Sequence, residues 1–297
     1  MSKFNEFENL LKKARYYYRI HEYDVALQYL NEVIIFNLFL LDSQIIEAYY
    51  LRGMLKQAIG KYSESIFDFN KVLKLDPHNK LIYESRIFSL LELFPNYVLE
   101  YCDKLIQDGS NDDKTIIFRG CANNKLKNYK KAIDDFNHAK KCEENDLLIY
   151  SNRGLSKLKL NDYDNAVEDF DKALEIDSVD IKNLFNRGLT NYLKKEFILS
   201  KRDFDDVLEI NPFYIKGPYY RGLAYMGFRE YEKAIKDFNV EITISKNDSD
   251  AFFYRGCSHY YLNEFKKAEL DFNHASHMNK NISRRIRNFI EKNLEYE

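Results

Sequence analysis

Seven arginines stand at nearly equal intervals along this chain: Arg52, Arg86, Arg119, Arg153, Arg187, Arg221 and Arg255. The spacings are 34, 33, 34, 34, 34 and 34 residues, and a glycine follows each arginine except Arg86, which precedes Ile87. A period of this length, kept over most of 297 residues, means one supersecondary unit stacked on copies of itself. One such unit cannot bury an apolar face alone, so the expectation is a single continuous array over 1–297 rather than two ordinary globular domains.

Composition narrows this further. Hydrophobic residues make up 45% of the chain, enough for a core, while 10 Gly and 4 Pro are too few for a turn-rich sandwich or barrel. The net charge of -2 lacks the basic excess of a nucleic-acid scaffold, so no nucleic-acid partner is expected. Cys102, Cys121, Cys142 and Cys257 form no CxxC pair and no metal-like cluster. They read as small apolar residues in a reducing, cytoplasmic setting. The N-terminus has early acidic residues and no uninterrupted apolar core, so no secretory signal is expected. The most apolar run, Val33–Leu41 (VIIFNLFLL), is too short to span a bilayer. It reads either as part of a long buried helix or as a surface for self-association.

The unit is clearest at 147–180, LLIYSNRGLSKLKLNDYDNAVEDFDKALEIDSVD. Two helical patterns flank a polar turn at Asn161–Asp162. Gly154, Ala166 and Ala173 are small enough for the two helices to approach closely, and Phe170 fills the space between units. The second helix recurs as SIFDFNKV, AIDDFNHA, AVEDFDKA, SKRDFDDV, AIKDFNVE and AELDFNHA, with a small residue and a Phe one turn apart on the same face. An aromatic precedes it in register at Tyr62, Tyr129, Tyr163, Phe197, Tyr231 and Phe265. Pro77 and Pro212 end two of the second helices.

This pattern resembles the tetratricopeptide repeat, and the resemblance covers nearly the whole chain. It implies an all-α, right-handed superhelical solenoid of about eight helix-turn-helix units. Their expected extents are 7–45, 46–79, 80–112, 113–146, 147–180, 181–214, 215–248 and 249–281, followed by a cap helix at 282–297. The usual Trp of the first helix is replaced by Tyr49, Tyr83, Tyr150 and aliphatics. The third unit is degenerate, with Ile87 for Gly, Leu99 near the small site and Pro95 near the turn. In the first unit Ala14, Tyr23, Ala26 and Leu30 match Gly53, Tyr62, Ser65 and Phe69 at an offset of 39, which puts extra residues around Phe36–Gln44. At the other end Ile282, Ile286, Phe289 and Ile290 share one helical face, as a cap requires.

The arginine is unusual for the family, and it has a companion. Sixteen residues after six of the seven stands an aspartate: Arg52/Asp68, Arg119/Asp135, Arg153/Asp169, Arg187/Asp203, Arg221/Asp237 and Arg255/Asp271. At the same spacing Arg86 meets Cys102, and Lys13 meets Tyr29. The concordance favours an internal brace between helices over a basic ladder for acidic ligands.

In the family the first helices line the concave face. That carries over to an aromatic and aliphatic strip of Phe185, Leu189, Tyr192, Tyr219, Tyr220, Leu223, Met226, Phe253, Tyr254, Cys257, Tyr260 and Tyr261. Asn152, Lys182, Asn186 and Lys216 supply polar groups beside it. Rings next to hydrogen-bonding groups suit an extended peptide or a helix of another protein, although the same rings can pack between units. The carboxylate clamp of chaperone-binding members is incomplete. Asn186 and Lys216 match one frame while Ser151, Leu155 and Tyr220 depart from it, and a frame one unit earlier keeps Asn152 and Lys182 but fails at Ile117, Cys121 and Asn186. A chaperone tail is therefore not the expected partner.

Signatures of chemistry are missing. The chain has no GxxxxGK[ST], GxSxG or HExxH, and His274 and His277 lack a third metal ligand. No cofactor and no catalysis are expected. The reading is a protein-binding scaffold, with a self-associating assembly factor and a regulatory or targeting subunit of an enzyme complex as the alternatives.

Overall fold

A computed structural model describes residues 2–35, 41–109, 112–139 and 146–294, and its described residues are helices and turns with no strand. The helices pack as two compact units, residues 1–142 and residues 143–297. The first unit holds α1 (Ser2–Arg19), α2 (Tyr23–Ile35), α3 (Asp42–Ala58), α4 (Tyr62–Leu75), α5 (Lys80–Leu93), α6 (Pro95–Gln107), α7 (Asp113–Lys125) and α8 (Tyr129–Ala139). The second holds α9 (Leu147–Lys159), α10 (Tyr163–Ile176), α11 (Ile181–Leu193), α12 (Phe197–Ile210), α13 (Gly217–Gly227), α14 (Tyr231–Ile244), α15 (Ser249–Tyr261), α16 (Phe265–Met278) and α17 (Ile282–Leu294). Residues 36–40 lie outside the described set, and with them most of the Val33–Leu41 run and of the insertion expected around Phe36–Gln44. Cys142 lies outside it too.

Within a pair, the first helix ends in a left-handed residue and the second begins two residues later. His21, Gly60, Lys127, Asn161, Lys195, Arg229 and Asn263 all have φ between 59° and 77°. The next amide reaches back over the turn, as in Asp162 N–H to Lys157 O at 2.9 Å and Glu264 N–H to His259 O at 2.9 Å, the closing bond of a Schellman motif. Four of the eight first helices start on an Asx cap: Asn79, Asp146, Asp180 and Asp248 each accept a backbone N–H from the first turn.

The pair closes on one contact. A Cβ added to Gly154 would lie 2.9 Å from the Phe170 ring, and Gly53, Gly120, Gly222 and Gly256 face their own phenylalanines at 2.6–2.9 Å. Phe69, Phe136, Phe170, Phe204 and Phe238 are fully buried. The irregular units keep the sum of sizes: Ala14 goes with Leu30 in the first. In the third, half-buried Ile87 goes with Cys102, which is buried. The third pair also turns differently. Phe94 alone joins α5 to α6 with φ -137°, and Pro95 opens α6. The residue missing before Arg119 is therefore lost at this turn, and the register inside α6 slips by one. Val98 and Cys102 become the inward positions, while Leu99, expected near the small site, is half-buried.

All six predicted Arg–Asp pairs form. Nε and Nη2 of Arg153 donate to the two oxygens of Asp169 at 2.8 and 2.5 Å, four of the others make the same fork, and Arg119 sets both nitrogens on Oδ1 of Asp135. The remaining nitrogen, Nη1, reaches back to the preceding second helix: Arg119 to Asp103, Arg187 to Asp171, Arg221 to Asp205 and Arg255 to Asn239, at 2.6–3.2 Å. Arg86, which lacks the forward aspartate, keeps the backward bond to Asn70 at 3.0 Å. The second helices thus read Asp-Phe-(Asp/Asn): the first acceptor binds its own unit and the second binds the next. The backward half went unread in the sequence, although the DFN and DFD tripeptides displayed it.

Most of the forward aspartates gain a second donor one turn beyond the arginine. Lys56, Asn123, Lys157 and Asn191 approach Asp68, Asp135, Asp169 and Asp203 at 2.7–3.1 Å, and His259 Nε2 lies 3.9 Å from Asp271. In the α13–α14 pair this position is Tyr225, and Asp237 accepts from Nε and Nη2 of Arg221.

At the C-terminal end, Ile282 and Ile286 are buried, and Phe289 and Ile290 pack with them on Phe253, Cys257, Phe272 and Ala275. This is the cap that the 282–290 face implied.

Candidate functional site

The first helices of the second unit carry fifteen of the sixteen residues of the expected groove, with Lys216 at the N-cap of α13, and burial divides them. Tyr219, Leu223, Phe253 and Cys257 are buried. Lys182 and Tyr261 are exposed, and the remainder are half-buried.

The α11–α13 stretch forms one connected set of rings. Tyr220 stacks on the buried Phe204 at 5.7 Å with 13° between planes. Phe185 and Tyr192 meet Tyr220 edge-on at 5.7 and 6.1 Å. Leu189 packs on the cluster around Leu158, Ala166 and Phe170. Desolvation is deep enough to raise the Tyr192 hydroxyl to about 12 and to push Tyr220 up as well. These side chains are pinned by the helix behind them and still present partly open surfaces.

The α13–α15 stretch repeats the arrangement. Tyr254 stacks on Phe238 at 6.3 Å and 22°, and meets Tyr219 at 5.9 Å. Met226 joins the same packing. The Tyr254 hydroxyl accepts a bond from Arg285 Nη2 at 3.2 Å, and Arg285 also pairs with Asp250. Beyond it, the ridge is used internally. Phe289 of α17 lies against Phe253, Tyr260 and Tyr261 at 6.3, 5.3 and 5.5 Å, and Cys257 belongs to the same cap cluster.

Two of the four polar candidates are partly committed. Asn152 Nδ2 donates to Leu148 O at 2.9 Å. Lys216 pairs with Asp248 at 2.6 Å and lies 4.3 Å from the centre of the Tyr219 ring, so its ammonium is not poised for a ligand carboxylate. Ser151, one of the failing clamp places, accepts Asn183 Nδ2 at 2.7 Å. Asn186 is half-buried and Lys182 exposed, both beside Phe185 on α11.

No pattern in the sequence announced Glu241. It is fully buried where the neighbouring second helices carry Ala173, Val207 and Ala275. Its carboxylate faces the backbone of Lys216 and Tyr219 at the start of α13 without a well-formed hydrogen bond, and burial pushes it above the ordinary range. The start of α13 is itself irregular, with Lys216 at φ 68° and no side-chain cap, so the acidic group stands at a helix N-terminus that lacks the usual aspartate.

Chemistry-bearing clusters do not emerge. Among the described residues no group of three or more His, Cys, Asp or Glu is placed to hold a metal ion. His277 Nδ1 bonds Asn273 O at 2.7 Å and His274 packs on Phe252 at 5.4 Å. Among the described residues no helix is long and apolar enough to cross a membrane.

Comparison with known proteins fits this geometry. The model of the tetratricopeptide repeat matches residues 46–79 and 148–178. No curated protein sequence matches the chain. Solved structures do: a MamA protein at 17% identity covers 58% of this chain and 94% of its own, with a TM-score of 0.53. MamA from Desulfovibrio magneticus RS-1 is 18% identical over 63% of this chain and 96% of its own, at 0.51. YrrB, described as a TPR protein with an unusual peptide-binding site, is 16% identical over 61% of this chain and 94% of its own, at 0.55. At these identities the likeness speaks for the fold. The matched repeats, their recurrence at a 34-residue period and the helix pairs of both units give this chain the all-α, paired-helix fold of tetratricopeptide repeats.

Proposed function

We propose that the chain is a non-catalytic scaffold that binds a segment of another protein along the first helices of its second unit, centred on α11 and α13. The observation that carries this is the half-buried ring set Phe185, Tyr192 and Tyr220, fixed from behind by Phe204 and flanked by Asn186 and Lys182. Rings held in one rotamer lose little entropy on binding, and amide and ammonium groups at their edge give a peptide backbone or carboxylate something to bond. The cap already covers the α15 end of the ridge, which narrows the binding stretch to the central pairs. In this reading the protein acts in the cytoplasm, with the binding surface on the second unit.

Affinity capture with the full chain, followed by identification of the bound protein, tests the reading. Asn186→Arg and Leu189→Arg place charge and bulk on the ridge, while Phe67→Ser alters an exposed residue of α4 in the other unit. A partner lost from both ridge variants and kept by Phe67→Ser supports the groove. A partner kept by folded Asn186→Arg and Leu189→Arg chains would sink it.

A further inference from the structure

In the α9–α10 and α15–α16 pairs, an aromatic ring stands three residues before the arginine and is sandwiched. Tyr150 lies 5.6 Å from the Arg153 guanidinium and 6.0 Å from the Lys172 ammonium of α10. Phe252 lies 5.2 Å from the Arg255 guanidinium and 5.4 Å from the His274 ring of α16. The same two walls exist in the α13–α14 pair as Arg221 and Val240, but the residue between them is Pro218. The ring is missing there, and a cleft of about 490 Å³ opens between those walls.

The cleft is built to hold an apolar group over a fixed cation. Leu208, Pro212 and the exposed Phe213 complete its sides. Arg221 cannot swing away, because Asp237 takes its Nε and Nη2 and Asp205 its Nη1. Three carboxylates line the cleft, from Asp205, Glu209 and Asp237, against the single guanidinium. The exposed Glu209 makes the rim acidic. Its volume is within the range of sites for small ligands and side-chain anchors.

We propose that this cleft, on the face formed by the second helices, is an anchor site for a partner's extended segment carrying an aromatic residue next to a Lys or Arg. The guest ring takes the place of the repeat's own missing ring, over Arg221 and beside Val240, and the guest cation answers Glu209. Two sibling pairs display the occupied geometry with their own rings; Ile116 and Leu184 show that an aliphatic side chain also fits this position, so the preference for a ring rests on its cation–π contact with the fixed guanidinium. The site shares no residue with the ridge on α11 and α13, so either can fail without the other.

The test titrates three acetylated tetrapeptide amides into the isotope-labelled full chain: Ala-Lys-Trp-Ala, the same peptide with Leu for Trp, and the same with Glu for Lys. The tryptophan peptide is expected to move the Leu208 and Val240 methyl signals and the Arg221 Nε–H signal saturably. The other two should bind at least about tenfold more weakly, a difference of about 1.4 kcal/mol. Pro218→Phe restores a ring from inside and Val240→Trp fills the cleft from the opposite wall; each should abolish those shifts while the helical circular dichroism stays unchanged. Equal binding of the leucine peptide, shifts that persist in both filled variants, or no shifts at these groups up to millimolar peptide would overturn the proposal. So would a dimer of the free chain that Pro218→Phe dissociates, because the occupant is then a second copy.

Discussion

A methyl group added at Gly154 should destabilise the α9–α10 pair, against the usual sign for a helical glycine. Replacing a mid-helix glycine by alanine ordinarily gains about 1 kcal/mol. Here the new Cβ would stand 2.9 Å from Phe170 Cε1, 3.0 Å from Cδ1 and 3.2 Å from Asp169 Cβ. Comfortable carbon–carbon contacts are about 3.5–4.0 Å, so the overlap is roughly half an ångström or more. The ring is fully buried and Asp169 is held by Arg153 and Lys157, so neither obstacle moves easily. Overpacking of this kind costs about 1–3 kcal/mol, which leaves a net loss of about 1 kcal/mol for Gly154→Ala. Phe170→Leu alone should lose about 1–2 kcal/mol. The double variant recreates the Ala14–Leu30 pairing of the first unit, and its cost should fall short of the sum by about 1 kcal/mol or more. Repeat arrays depart from two-state unfolding, so the measurement is native-state hydrogen exchange at the α9 and α10 amides. A more protected Gly154→Ala chain, or a double variant equal to the sum of the singles, would refute the reasoning.

Asp169→Ala should cost about 3–5 kcal/mol, because it takes the carboxylate from Nε and Nη2 of Arg153 where the two side chains are only 5% and 3% exposed. Asp250→Ala, at a pair 44% and 40% exposed, should cost about 1 kcal/mol or less; similar losses by chemical denaturation would contradict the burial argument. Burial raises the Glu241 carboxyl in the folded state, so its contribution to stability is full below the ordinary carboxylate range and is lost as pH rises through the raised value. Glu241→Gln should therefore be the more stable chain near neutrality, with the difference vanishing in acid; parallel stability–pH curves for the two chains would rule this out. Phe289→Ala should loosen the cap by about 2 kcal/mol and speed exchange in α15–α17 while leaving α9–α10 unchanged, and a uniform effect over the unit would argue against local packing.

What the sequence made legible was whatever repeats. Period, helix pairing, the Gly–Phe contact, the forward Arg–Asp brace and the apolar face of the cap all rest on residues that recur at fixed offsets, so each copy checks the others. What escaped was particular to one copy. Glu241 and Pro218 look like ordinary variation until the positions of Ala173 and Tyr150 in three dimensions show what each replaces. The slip inside α6 depends on where a single deletion falls, and only the burial of Val98 and Cys102 locates it at the turn. The groove was legible as a list of rings but not as a surface. Identity alone does not distinguish Tyr220, braced on Phe204 and half open, from Tyr260 against the cap.

The two-sided acceptor Asp-Phe-(Asp/Asn) bears on how such a chain changes length over generations. Each copy carries its own socket and the plug for its successor, so a duplication or loss of one whole period within the second unit leaves matched ends. Excision of 181–214 would bring Arg221 sixteen positions after the junction's new neighbour, Asp171, which already serves Arg187 in that way. An insertion inside a helix pair separates an arginine from its own aspartate, whereas one between pairs is tolerated: with five extra residues between the first two units, Arg52 Nη1 still bonds Asn31 at 2.8 Å. Whole-frame recombination is thus nearly silent, while ragged events inside a helix pair are exposed to selection at once. On this account the even spacing of the arginines is the footprint of which copying errors a lineage could keep.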